Sequence, residues 1–155
     1  MLIQIVLHLV NKKVMIKLKL QMFGGRGASS GMSIAGRKYG TEYKTLHQLR
    51  NIKYIRYNLS MASKNPFETQ ASNRIYAVVN FRDEIKSIVV FDSKGMKSKE
   101  YDIVGQAHRI DGELVLPHVH LGYNHGENGT RKPTEDEQAE IDTILKEWYN
   151  FKHRK

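Results

Sequence analysis

Over much of this chain apolar and polar residues alternate with a period of two. Ile3, Ile5, Leu7 and Leu9, then Val14, Ile16, Leu18, Leu20 and Met22, occupy every second position, which puts them on one face of an extended chain. Residues 1–22 are therefore expected to form a strand or a hairpin turned at Asn11-Lys12, with Met15 as a second candidate start that would make the first residues extra sequence. From Phe23 to Gly40 the chain carries six glycines and three serines, which predicts a loop. Its GGRG run follows neither the P-loop pattern nor the dinucleotide fingerprint. Thr41 to Arg50 places Tyr43, Leu46 and Leu49 at helical spacing behind a Thr cap, predicting a short N-terminal helix.

Asn51 to Asn58 reads as a strand, and Leu59 to Ser72 as an irregular connection around Asn65-Pro66. Then come three β-rich runs, Arg74 to Phe81, Ile85 to Asp92 and Met96 to Val104, separated by short polar breaks that suit antiparallel hairpins. Asp111-Gly112 marks a further turn into Glu113 to Leu116. Pro133-Thr134 followed by Glu137 forms a capping box, and Ile141, Ile144, Leu145 and Trp148 make one apolar stripe. These elements predict a single α+β domain over residues 41–152: an antiparallel meander of four or five strands packed against a C-terminal amphipathic helix and the short N-terminal one.

The chain has 155 residues and no cysteine, enough for one core without staples. Disulfides, thiolate metal sites and cysteine nucleophiles are excluded, and a cytosolic home is expected. The formal net charge is +9. Residues 134–150 hold six acids against one base, so the remainder is more basic still, and a polyanion such as nucleic acid is the expected partner. No run of about 18 uninterrupted apolar residues occurs, so no membrane-spanning helix is expected.

Four of the seven histidines, His108, His118, His120 and His125, fall within 18 positions. If Leu116 to His120 is extended, His118 and His120 share a face and Val119 points away. Three roles are open to them: ordinary packing, acid–base catalysis, or metal binding. Imidazole titrates nearest neutral pH, which suits proton transfer. Neutral imidazole also binds zinc, in which case His118, His120 and His125 are the ligands and Glu127 or Asp111 could complete the set, although no established zinc spacing is matched.

The basic body, the paired histidines and the cations nearby suit metal-independent RNA cleavage by transesterification, with no cofactor. In that reading His120 and His108 carry protons, with His118 as a substitute. Lys99, Thr130 and Arg131 contact phosphate, and Tyr101 and Tyr123 stack bases. RNA is then a likelier partner than DNA.

The strings QMFGGRGASSGM, RKYGTEYKTL and LPHVHLGYNHGENGT, with a closing helix ending in WYN, resemble small proteins encoded in the head-morphogenesis region of Gram-positive phages and prophages. That resemblance spans residues 21–150 and implies a location in the bacterial cytoplasm or on the virion, with a phage head protein as a partner. More distantly, the order of elements is similar to that of the barnase-, EndoU-, colicin- and RelE-like nucleases, which implies ribonuclease activity and an immunity partner. The chain departs from that pattern in lacking a long N-terminal helix pair and in ending with a helix. The alternatives are a non-enzymatic head-module accessory protein that binds nucleic acid or a phage protein, and a His-ligated metal hydrolase.

Overall fold

The computed structural model describes residues 36–38 and 40–154; the expected hairpin of residues 1–22 and the glycine-rich loop as far as residue 35 lie outside them. The strands are β1 (Tyr43–Leu49), β2 (Ile52–Tyr57), β3 (Ile75–Val79), β4 (Ile85–Phe91), β5 (Lys97–Asp102), β6 (His108–Ile110), β7 (Glu113–Val115), β8 (His118–Leu121) and β9 (Thr130–Arg131). They are followed by helix α1 (Glu135–Lys152). Seven of the strands form one sheet in the order β1-β2-β3-β4-β5-β8-β9, and β6 and β7 pair as a separate hairpin. The fold is α+β, as the sequence predicts.

Three details differ from expectation. Thr41 to Arg50 contains a strand, because β1 pairs with β2 through a bulge between Thr45 and His47. The i, i+3 spacing there is not a helical stripe: Tyr43 packs with Ile55, Val78, Val89 and Phe91, and Leu46 with the core beneath α1, on the other side of the sheet. The sheet has seven strands, not four or five, partly because β9 is two residues long and has no readable period. It is also not a pure meander, since β2 and β3 run parallel. A parallel pair needs a crossover, and residues 58–74 supply one across the sheet face opposite α1, where Asn65 reaches Ser87 and Glu100.

Strand alternation sorts the two faces. Toward α1 point Tyr54, Ala77, Ile88, Tyr101 and Val119, packed against Ile141, Ile144 and Trp148. Buried polar tips need partners, and each finds one at or near the helix: Tyr54 Oη donates to Ile144 O at 3.0 Å, Tyr101 Oη to Glu140 at 2.8 Å, and Trp148 Nε1 to Asp83 O at 2.9 Å. The capping box forms as expected, Thr134 and Glu137 each bonding the other's backbone N–H.

Glu137 also gathers two cations. Arg131 approaches it with two nitrogens at 2.6 and 2.9 Å, and Lys99 Nζ lies 2.9 Å away. The Arg131 guanidinium in particular holds the Glu137 carboxyl far below the usual carboxylate range. A depressed acid contributes stability that is present above its ordinary value of 4.5 and is lost as pH falls toward the lowered one. Thermal melts by circular dichroism between pH 7 and pH 2 should therefore show a steeper acid decline for the wild type than for Glu137→Gln, which starts lower. Parallel declines would refute this account.

Candidate functional site

The face away from α1 carries the histidines. In the β5–β8 register Asp102 lies opposite His118 and Glu100 opposite His120, and β9 adds Thr130 opposite His120. Cross-strand partners share a face, so two acids, two imidazoles and a hydroxyl are brought together by pairing alone. The β6–β7 hairpin turns at Asp111-Gly112, both with positive φ (50° and 84°), as a tight two-residue hairpin requires. It lays the His108 ring on His118 with centroids 4.1 Å apart. The β8–β9 loop returns His125 to His120 at 3.7 Å. That loop is compact: Glu127 accepts from the N–H groups of Tyr123 and Asn124 at 3.1 and 3.0 Å. A Cβ on Gly122, which has φ +98°, would lie 2.8 Å from Asn128 Nδ2.

His118 is fully buried and His120 nearly so. His118 Nδ1 lies 3.2 Å from Val115 O. A carbonyl only accepts, so this nitrogen carries a proton, and in the neutral ring Nε2 is then the lone-pair acceptor. That lone pair faces His120 Nε2 at 3.0 Å and Asp102 Oδ2 at 3.5 Å, and Asp102 Oδ2 is 3.4 Å from His120 Nε2. These three atoms form one triangle, which either an N–H on His120 Nε2 or a bound cation would satisfy. His120 Nδ1 meets Thr130 Oγ1 at 2.8 Å, a contact that fixes the ring's orientation. Burial, then the neighbouring His125 and His118, lowers the His120 pKa to about 4, so this imidazole is neutral at pH 7.

His108, His118 and His120 form one group with metal-ligating geometry, and Asp102, His120 and His125 a second. The expected trio His118, His120 and His125 is therefore split between two groups that meet at His120. Asp111 occupies the hairpin turn and Glu127 binds its own loop, so neither joins the cluster. Asp102 was not foreseen. Its signal is the acid pair Glu100 and Asp102 at i, i+2, which becomes visible only once β5 is registered against β8.

Two expected phosphate contacts are corrected. Lys99 and Arg131 lie on the α1 face, engaged by Glu137, and parity places them on the opposite side of the sheet from His118 and His120. Tyr101 is likewise buried on that side beneath Glu140 and has no free ring face for a base. Lys132 pairs with Glu113 at 2.5 Å. Thr130 is on the histidine face, and Tyr123 lines a cavity there.

Glu100 joins the cluster to the layer beneath. Its carboxylate accepts from Lys97 Nζ at 2.9 Å and from Asn65 Nδ2 at 2.6 Å, and His125 Nδ1 is 4.0 Å away. Both charged side chains are almost completely buried. Removing one partner would leave an uncompensated buried charge, which costs about 3–5 kcal/mol. Urea denaturation should place Glu100→Leu that far below the wild type and well below the double variant Lys97→Met/Glu100→Leu. A double variant no more stable than the single one would contradict this.

No protein family model, curated protein sequence or solved structure matches the chain. Among the described residues, no helix is long and apolar enough to cross a membrane.

Proposed function

We propose that this chain is a metal-dependent hydrolase of the zinc class, with Asp102, His118 and His120 as protein ligands. One observation carries the reading: the triangle of 3.0, 3.4 and 3.5 Å between their facing donor atoms. Ligands held about 2.0–2.1 Å from a tetrahedral ion stand about 3.3–3.4 Å from one another. The outer contacts fit as well, since a ligating histidine donates its other ring N–H to an outer partner; Val115 O accepts from His118 Nδ1, and Thr130 Oγ1 lies 2.8 Å from His120 Nδ1, where it would accept from a ligating ring.

Three protein ligands are the number that hydrolytic zinc sites use, whereas closed structural sites use four. A zinc ion held there would supply Lewis acidity for the activation of water. His125, the exposed member of the cluster with Glu100 behind it, would accept a proton from the attacking water and return it to the leaving oxygen as the bond to the leaving group breaks. The chain's basic excess favours a phosphoester substrate.

Direct acid–base cleavage of RNA places two imidazoles on either side of a phosphodiester. The expected proton carriers, His120 and His108, have ring centroids 5.1 Å apart, and His118, their substitute, has its Nε2 3.0 Å from that of His120; this close packing favours the metal reading.

Untagged protein titrated with zinc by calorimetry should bind one equivalent per chain. His118→Ala and His120→Ala should weaken binding at least 100-fold and Thr130→Val about 10–100-fold, while Lys99→Ala leaves it unchanged. Equal zinc binding by a His118→Ala/His120→Ala double variant would refute the site. RNA cleavage that persists in EDTA would return the reaction to the imidazoles alone.

A further inference from the structure

Beside the histidine cluster, on the same side of the sheet, the crossover of residues 58–74 roofs a cavity of about 550 Å³, within the usual range of about 300–1,000 Å³ for small-ligand sites. Its lining brings Lys38, Lys53, Lys64 and Arg74 against two carboxylates, Glu42 and Glu68. Among the described residues, Lys53, Lys64 and Arg74 have no carboxylate within ion-pair distance, and Arg74 Nε is buried without a hydrogen-bond partner. Lys53 is half-buried; burial, then the like charge of Arg74, lowers its pKa. Four cations against two carboxylates leave a positive excess that attracts an anion.

Aromatic rings accompany that charge. Tyr76 is the direct cross-strand partner of Lys53 in the parallel β2–β3 pair, so ring and ammonium rise side by side. Phe67 and Tyr123 meet at 6.0 Å between centroids, tilted by 55°, and both line the cavity. Polar amides complete it, Asn65 and Gln70 among them. A flat aromatic ring attached to an anionic group matches this combination, because bases stack on aromatic side chains while phosphate oxygens meet the cations.

We infer that this cavity binds a nucleoside phosphate unit, with the base against Tyr76 and Tyr123 and the phosphate at Lys53 and Arg74. The binding itself does not require a metal. Its role as a substrate subsite rests on the hydrolase reading, for which the layout is suited: Tyr76, Val89, Glu100 and His120 are successive cross-strand partners in one row, about 14 Å from end to end at the usual strand spacing.

The test is made on the full chain in EDTA, which separates it from any failure of the metal site. Adenosine and uridine monophosphate are titrated by calorimetry, and a fluorescein-labelled six-nucleotide RNA by anisotropy at two salt concentrations. Saturable binding is expected, weakened at least tenfold by Lys53→Ala and by Arg74→Gln, weakened by Tyr123→Ala for nucleotides but not for inorganic phosphate, and unchanged by Lys94→Ala. Lys64→Ala, at an exposed position, gives a second cationic variant if the half-buried ones fail to fold, and should weaken binding severalfold. Tight mononucleotide binding identifies a free nucleotide as the ligand. Much tighter RNA binding that falls steeply with salt identifies a unit of a strand. The inference is overturned if neither probe saturates, or if Lys64→Ala and Tyr123→Ala bind as well as the wild type.

Discussion

The antiparallel register of β5 against β8 decides which chemistry appears on which side of the sheet. With Asp102 opposite His118 and Glu100 opposite His120, every acid and imidazole of the cluster falls on one face, and Tyr101 and Val119 fall on the other. A slip of one residue would send the histidines under α1 and the apolar side chains into the crossover layer. The core beneath α1 makes such a slip prohibitive, because Tyr101 and Val119 are fully buried there. Packing on one side thus fixes the polar geometry on the other.

The same sorting governs the cations. The chain is strongly basic, yet Lys99 and Arg131 are spent on Glu137, at the first turn of α1. Net charge read from composition says nothing about which face carries it. Lys53, Lys64 and Arg74 gather instead around the crossover cavity, and the buried imidazoles of His118 and His120 face the Asp102 carboxylate.

Most strands, the Asp111-Gly112 turn, the α1 capping box and the shared face of His118 and His120 were legible in the sequence, because each follows from local periodicity or turn chemistry. What escaped was non-local. The bulge in β1 mimics helical spacing at Tyr43 and Leu46, and no local signal marks β2 and β3 as parallel. Asp102 looks like an ordinary polar strand residue until its partner strand is known. Lys99 and Arg131 were placed by proximity along the chain to the histidines, whereas strand alternation had already assigned them to the other face.

The contacts that anchor α1 have a temporal consequence. Tyr54 and Ile144 are 90 residues apart along the chain, and Trp148 is 65 residues from the carbonyl it binds at Asp83. On a ribosome the strands emerge first, with one apolar side uncovered until the helix is synthesised. Burial of that side is completed late, by the eighteen residues of α1.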